Sequence, residues 1–162
     1  AEEEGIRLGI HPCDPPVETL GGIPQLLRSF AAYKRLVEIY PSDSNAIEFC
    51  QGTFSEMKDD IYEMIEYFVS RKKILYVHFR NVSGKVPVFY EEFVNTGYVD
   101  MYKAMKIYHK HNFDGFFGNG ISVLYEPSAL NTLSTNSVNP FQALLTDGLP
   151  LAGTCLLIRG IV

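Results

Sequence analysis

Short apolar runs alternate with amphipathic stretches along the first three quarters of the chain. The runs have the length of buried strands rather than of helices. Three of these runs end at a histidine or a cysteine. Two of those ends are followed by a residue that breaks regular structure, Pro12 in one case and Gly52 in the other. The runs predict four strands, at Ile6–Ile10, Ala46–Phe49, Ile74–Val77 and Phe113–Phe117.

Between these strands, apolar residues recur at the three- and four-residue spacing of an amphipathic helix. Pro24 suits the first turn of the first helix. Thr53 and Glu56 have capping-box spacing for the second, and Asp100 can cap the third. Repeated strand–helix units imply parallel strands joined by helical crossovers, so the predicted fold class is α/β. The helical stripes are Leu26, Phe30, Tyr33, Val37 and Tyr40; Met57, Ile61, Met64, Ile65 and Phe68; and Met101, Ala104, Met105 and Tyr108.

The composition changes at Gly118. Charged residues make up 20% of the whole chain, but residues 118–162 hold only three of them and show no helical stripe. We therefore expect one region over residues 1–117 and a divergent tail over 118–162, with strands at Ile121–Tyr125 and Leu156–Val162. Ala1–Gly5 resembles the last turn of a helix, which predicts a start inside a larger fold; a residual tag is the alternative.

Overall composition narrows the class of protein. A hydrophobic fraction of 46% over 162 residues suits a globular domain, and the net charge of −5 argues against a nucleic-acid-binding module. No apolar run approaches the roughly 20 residues of a membrane span, and no secretory signal is recognisable. The three cysteines, Cys13, Cys50 and Cys155, are odd in number and widely spaced. This pattern predicts the reducing cytoplasm rather than a disulfide framework.

Three candidate metal ligands occupy equivalent places, because His11, Cys50 and His78 each end a predicted parallel strand. The carboxyl ends of parallel strands in a β/α barrel meet on one face, where active sites lie. Two imidazoles and a thiolate there suit a divalent transition metal with a position left open for substrate. The alternatives are ordinary ones: a strand-end histidine with local polar partners, and a buried cysteine acting as a small hydrophobic residue.

Two further polar residues lie near these strand ends. Arg80 follows His78 by two residues, and a guanidinium binds carboxylates through a bidentate fork, so an acidic substrate is one interpretation. An ion pair within the rim of the barrel is the other. Asp14 follows Pro12 and is interpreted either as a loop cap or as a polar group of the site.

The segments that carry these residues resemble mannonate dehydratase, an enzyme family with a xylose-isomerase-like TIM-barrel fold. The similarity lies in GIHPCDPP from Gly9, FCQG from Phe49, VHFRNV from Val77 and VDMY from Val99. It extends from about residue 1 to Phe117. Because a β/α barrel typically needs about 250 residues, residues 1–117 are expected to form a partial (β/α)8 barrel, its C-terminal half.

The resemblance implies a Mn²⁺ or Fe²⁺ site with His11, Cys50 and His78 as ligands, and it makes Arg80 the candidate for contacts with a carboxylate or with the rim. We predict Arg80 and Asp14 as substrate-binding residues. The implied reaction converts D-mannonate to 2-keto-3-deoxy-D-gluconate and water in hexuronate breakdown. The family continues after this point with an Asp–His pair, whereas this chain reads Gly118-Asn119-Gly120 and has no later histidine. The catalytic residue is therefore unknown, and weak or absent turnover is expected.

Two other functions remain open from the sequence. One is a non-catalytic partial barrel, whose open sheet edge favours association, including a homo-oligomer. The other is a metal-dependent sugar isomerase or epimerase on a similar barrel. An altered reading frame is one hypothesis for the origin of the tail.

Overall fold

The computed structural model describes residues 1–118. The strands predicted at Ile121–Tyr125 and Leu156–Val162, and the tail as a whole, lie outside the described residues. Within the described part, no helix is both long enough and apolar enough to cross a membrane. The strands are β1 (Leu8–Ile10), β2 (Thr19–Leu20), β3 (Ile23–Pro24), β4 (Asn45–Cys50), β5 (Ile74–His78), β6 (Asn81–Val82), β7 (Glu91–Glu92) and β8 (Phe116–Gly118). The α-helices are α1 (Phe30–Ile39), α2 (Gln51–Glu56), α3 (Ile61–Ser70) and α4 (Met101–Lys110), and a 3-10 turn spans Glu2–Glu4.

The main sheet confirms the predicted α/β architecture. Its four strands are ordered β1-β4-β5-β8, and every neighbouring pair is parallel. Helix α1 connects β1 to β4, α2 and α3 connect β4 to β5, and α4 connects β5 to β8. Parallel strands require such crossovers, and these bring all four carboxyl ends to the same edge of the sheet. Two antiparallel pairs, β2–β3 and β6–β7, lie in the loops that follow β1 and β5.

Aromatic side chains form the centre of the core between the sheet and its helices. Phe49 of β4 and Phe54 of α2 stack with ring centroids 4.1 Å apart. Tyr33 of α1 lies 4.7 Å from Phe54, and Phe68 of α3 completes the cluster. All four side chains are fully buried. Such packing holds β4 firmly under α2, which is the helix that starts directly after Cys50.

The first helix starts later than predicted. Pro24 belongs to the β2–β3 hairpin, whose turn is made by Gly21 and Gly22 at positive φ. Helix α1 begins after Ser29, whose hydroxyl accepts from the Ala32 N–H as an N-cap. Leu26 is therefore outside the helix and is 82% exposed. The prediction from Pro24 was wrong because a glycine turn and a serine cap together outweigh a proline preference.

The second predicted helix is divided into two. The Thr53–Glu56 spacing does not form a capping box, because both residues lie inside the short helix α2. Asp60 instead caps α3, accepting from the N–H groups of Tyr62 and Glu63. Met57 is buried between the helices. The third predicted cap is confirmed, since Asp100 accepts from the Lys103 N–H at the start of α4.

The first strand was expected to be buried, and that expectation was wrong. Leu8 and Ile10 are 58% and 38% exposed, although β4 beside them is buried along most of its length. At the opposite end of the sheet, Phe116 of β8 is 83% exposed. Both strands are edges within the described part of the chain, so their side chains lack a neighbour on one side.

Candidate metal centre

Three predicted ligands meet at the carboxyl edge of the main sheet. His11 follows β1 directly, Cys50 ends β4 and His78 ends β5. Cys50 and His78 are register partners, so their side chains emerge at the same level. One ligating atom from each of the three residues lies within 4.8 Å of the others. We call these residues the metal cluster; the structure brings them together, and their role as ligands stays a prediction.

The ring of His11 is held by its own loop. Its Nδ1 donates to the Pro12 carbonyl oxygen at 2.7 Å. That hydrogen bond leaves Nε2 as the nitrogen available to a ligand or to the neighbouring thiol. A second partner of this kind commonly fixes the tautomer and orientation of a metal-binding histidine.

The thiol of Cys50 lies among groups that stabilise its charged form. Burial by itself raises the pKa of this thiol, but hydrogen bonds from His11, His78 and Thr53 outweigh burial and lower it to about 6. The same contact with Cys50 raises the pKa of His11 to about 9, against the effect of its partial burial. Each group stabilises the charged form of the other, so without a metal the pair favours a thiolate beside an imidazolium. A thiolate is the form of cysteine that binds metal ions.

Glu48 was missed by the sequence analysis. Its Oε1 lies 3.0 Å from Nε2 of His78, and its side chain is 16% exposed. Glu48 precedes Cys50 by two residues on a strand, and residues two apart share a face. This two-residue alternation is the sequence signal by which Glu48 could have been found. The carboxylate therefore orients the His78 ring in the way that carboxylates orient metal-binding histidines.

A second polar cluster surrounds Arg80. The guanidinium Nε and Nη2 donate to the Glu91 carboxylate. Nη1 lies 3.1 Å from Asp14 Oδ2 and 2.9 Å from Glu56 Oε1. Nη1 also donates to the Thr53 hydroxyl at 3.1 Å. We call these five residues the arginine cluster.

The arginine cluster corresponds to the ion-pair interpretation of Arg80. Its side chain is only 2% exposed, whereas that of Asp14 is 26% exposed. A contact of either residue with a substrate stays a prediction. Sequence reasoning missed Glu91 and Glu56, which lie 11 residues after and 24 residues before Arg80, because no local spacing connects them.

Glu56 is the most confined carboxyl group of the arginine cluster. It is fully buried on the last turn of α2. Burial and the nearby Asp14 raise its pKa to about 8, although Arg80 opposes that shift. One guanidinium faces three carboxyl groups, so holding a proton on Glu56 at neutral pH reduces their mutual repulsion.

Gly52 permits the close approach of Arg80 to α2. A Cβ atom at this position would lie 2.6 Å from Arg80 Cγ and Cδ. The glycine of the Cys50–Gly52 segment therefore allows the arginine stem to cross the start of the helix. The same segment thus supplies a metal-cluster residue and the space for the arginine cluster.

Comparison with known proteins agrees with the fold and with the motifs. A family model described as D-mannonate dehydratase (UxuA) matches residues 1–126. The mannonate dehydratase of Lactococcus lactis subsp. lactis is 36% identical over 122 residues, covering 71% of this chain and 34% of that protein. The mannonate dehydratase of Streptococcus suis is 33% identical over 118 residues, covering 71% of this chain and 32% of that protein.

A solved structure shows the same architecture. The crystal structure of mannonate dehydratase from Streptococcus suis serotype 2 superposes with a TM-score of 0.70 at 29% identity, covering 77% of this chain and 38% of that one. The chain spans about a third of the length of the curated relatives it matches. The family model covers well over half of the chain, and the chain therefore belongs to the D-mannonate dehydratase family.

Proposed function

We propose that this chain carries the metal-binding part of a D-mannonate dehydratase site, which takes D-mannonate toward 2-keto-3-deoxy-D-gluconate and water. The observation that carries the proposal is the convergence of His11, Cys50 and His78 at three neighbouring strand ends, within 4.8 Å. Family membership supplies the substrate and the reaction. The chain covers about a third of its relatives, so the activity of a whole enzyme is part of the proposal.

The residues present fit a divalent transition metal. Imidazole and thiolate are borderline and soft donors, and a set of three leaves positions open for water or substrate. His11, Cys50 and His78 would hold the ion, which we take as Mn²⁺ or Fe²⁺ from the resemblance. When bound, such an ion polarises substrate oxygens and offsets developing negative charge.

The chain's own residues supply only part of what the reaction needs besides the metal ion. The reaction removes the C2 proton and expels the C3 hydroxyl as water, so that an enol forms and becomes the ketone. Asp14 is the predicted substrate contact with an accessible carboxylate. The β8 residue in register with His78 is Gly118, which offers no side chain for proton transfer. Since general acid–base catalysis contributes roughly 10²- to 10⁴-fold, we expect turnover to fall by at least that factor.

The test separates binding from turnover. The purified 162-residue chain is loaded with Mn²⁺, Fe²⁺ or the spectroscopic substitute Co²⁺, and D-mannonate is added. We expect D-mannonate to change the cobalt spectrum while its C2 epimer D-gluconate has a weaker effect. We also expect little or no keto-deoxy acid in a product assay.

Two results would contradict the proposal. An unchanged cobalt spectrum with D-mannonate would show that the site does not take this substrate, and would favour the non-catalytic partial barrel. Conversion of an aldose to a ketose without dehydration would favour an isomerase. Dehydration at the rate of the Lactococcus lactis relative would instead overturn the expected loss of turnover.

The remaining expectations about the protein's surroundings belong to the same proposal. We propose a cytoplasmic location, from the cysteine pattern, and a small sugar acid as the partner rather than nucleic acid or a membrane. A homo-oligomer stays a prediction, and light scattering of the purified chain tests it.

A further inference from the structure

The hydroxyl of Thr53 joins the metal cluster to the arginine cluster. Its Oγ1 lies 3.2 Å from Cys50 Sγ and 3.0 Å from Asp14 Oδ2. Arg80 Nη1 donates to the same oxygen at 3.1 Å. Thr53 is fully buried, so water does not reach its hydroxyl to compete for these hydrogen bonds. The Thr53 hydroxyl is therefore a point of contact between the two clusters.

The hydrogen-bonding capacity of a hydroxyl limits what Thr53 does. It has one proton to donate and lone pairs to accept with. Arg80 occupies the acceptor side, so the single proton is directed to Cys50 or to Asp14. Asp14 Oδ2 already receives an N–H from Arg80, whereas Cys50 lies at the start of the helix that holds Thr53, with its sulfur 3.2 Å from the hydroxyl.

We propose that Thr53 is a positioning residue for Cys50: its hydroxyl, held in place by the N–H that Arg80 donates to it, donates to the Cys50 sulfur and sets the orientation and donor strength of that ligand. The inference rests on the proposed metal role of Cys50. It gives Arg80, and Asp14 through its ion pair with Arg80, a function at the site that requires no contact with substrate. Residues that hydrogen-bond a metal ligand in this way typically change metal affinity about 10- to 100-fold when they are removed.

The variants separate the hydroxyl from the shape of the side chain. Thr53→Val replaces the hydroxyl with a methyl group, and Thr53→Ser keeps the hydroxyl while removing the methyl group. Thr53→Ala also lacks the hydroxyl and adds no bulk, so it serves if the valine variant fails to fold. Ser55→Ala is the matched control, because Ser55 is buried on the same helix but its hydroxyl donates to the Gly52 carbonyl oxygen.

The readout is the cobalt-substituted chain. A thiolate ligand gives a sulfur-to-cobalt charge-transfer band, and a hydrogen bond to the sulfur raises the energy of that band by stabilising the sulfur lone pairs. We expect Thr53→Val and Thr53→Ala to move the band to lower energy and to weaken Co²⁺ binding about 10- to 100-fold. Thr53→Ser and Ser55→Ala should keep the wild-type band and affinity.

The outcomes distinguish this inference from the proposed function. A wild-type band and affinity in Thr53→Val or Thr53→Ala would overturn the role of Thr53 and leave the metal site standing. Absence of any thiolate band in the wild-type chain would overturn both. An intact thiolate band that does not respond to D-mannonate would remove the proposed substrate while the positioning role of Thr53 survives.

Discussion

The metal cluster and the arginine cluster lie side by side at the same edge of the sheet, yet they use their polar atoms differently. The imidazoles of the metal cluster are partly exposed, and its three possible ligating atoms lie within 4.8 Å of one another. In the arginine cluster, Arg80 directs its donors to carboxylates and a hydroxyl of its own chain and is 2% exposed. A charged residue next to a site is therefore not by itself a substrate contact. The arginine cluster pairs its cation within the chain, whereas the metal cluster gathers possible ligating atoms whose role stays a prediction.

The largest effect is expected from a substitution in the arginine cluster. Arg80→Ala would leave the buried Glu56 and the partly exposed Asp14 and Glu91 without their shared cation. Removing one partner of a buried ion pair costs about 3–5 kcal/mol, and the free energy of unfolding should fall by that amount. Urea unfolding of the two chains measures it.

The control for Arg80→Ala is Arg28→Ala. Arg28 pairs with Glu18 at 3.3 Å on the surface, where the Glu18 side chain is 82% exposed. Its loss should cost less than about 1 kcal/mol. Equal losses in the two variants would mean that the arginine cluster is no stronger than a surface ion pair.

Cys50→Ala tests the metal cluster. Loss of one of the three predicted ligands should weaken Co²⁺ or Mn²⁺ binding more than about 100-fold, since even removal of a supporting residue costs about 10- to 100-fold. The fold should remain, because Cys50 lies outside the aromatic core. Isothermal titration calorimetry with each metal ion gives the affinities.

The matched control here is Cys13→Ala, which removes the other cysteine of the described residues. Metal affinity should stay at the wild-type value in this variant. If Cys50→Ala binds metal as tightly as Cys13→Ala does, the metal role of the cluster is wrong.

The boundary between the clusters is tested by Gly52→Ala. A Cβ there meets Arg80 at 2.6 Å, so the arginine stem must move or the helix must shift. Overpacking of this kind costs about 1–3 kcal/mol, and thermal unfolding should report the lowered stability.

Gly84→Ala provides the comparison for Gly52→Ala, because its Cβ would come only to 3.6 Å from the Val88 carbonyl oxygen. That is an ordinary contact distance, and stability should change little. A destabilisation at Gly84 as large as at Gly52 would show that the effect is not due to Arg80.

The last effect is a pH dependence that originates in Glu56 and is small for each pH unit. Its pKa rises from the ordinary 4.5 to about 8 in the folded protein, so the folded chain holds a proton that the unfolded chain has lost. The stabilisation from that proton is complete below pH 4.5 and is lost as the pH rises through 8. Within this window the free energy of unfolding should fall by about 1.4 kcal/mol per pH unit from this group alone.

Glu56→Gln removes the titration and keeps a side chain of similar shape. Its stability relative to wild type should therefore increase with pH and level off above pH 8, as measured by urea unfolding between pH 5 and 9. Glu18→Gln, at an exposed position, should show no such trend. Parallel curves for wild type and Glu56→Gln would contradict the raised pKa.

Local patterns were sufficient to predict the main sheet and the convergence of the three candidate ligands. The runs around β4, β5 and β8 are short and apolar, and parallel crossovers place their ends at one edge. That rule alone brought His11, Cys50 and His78 together before any distance was known. The β2–β3 hairpin and the break between α2 and α3 were missed because proline and capping-box preferences were given too much weight.

Local sequence patterns could not predict the arginine cluster. Asp14 and Arg80 are 66 residues apart in the chain, and Thr53 and Arg80 are 27 apart. No periodicity connects such positions, and an arginine beside a site has the same local sequence whether it faces a ligand or a neighbouring carboxylate. Only its burial and its partners distinguish the two.

The sequence by itself determined the strand–helix alternation, the family and the three candidate ligands, because each depends on residue type at short spacing. The tertiary structure alone decided which carboxylates surround Arg80, that Glu48 supports His78, and that the Thr53 hydroxyl connects the two clusters. These features depend on distances between side chains from separate strands and loops. Such distances are set by packing of the whole core, which short-range sequence patterns do not encode.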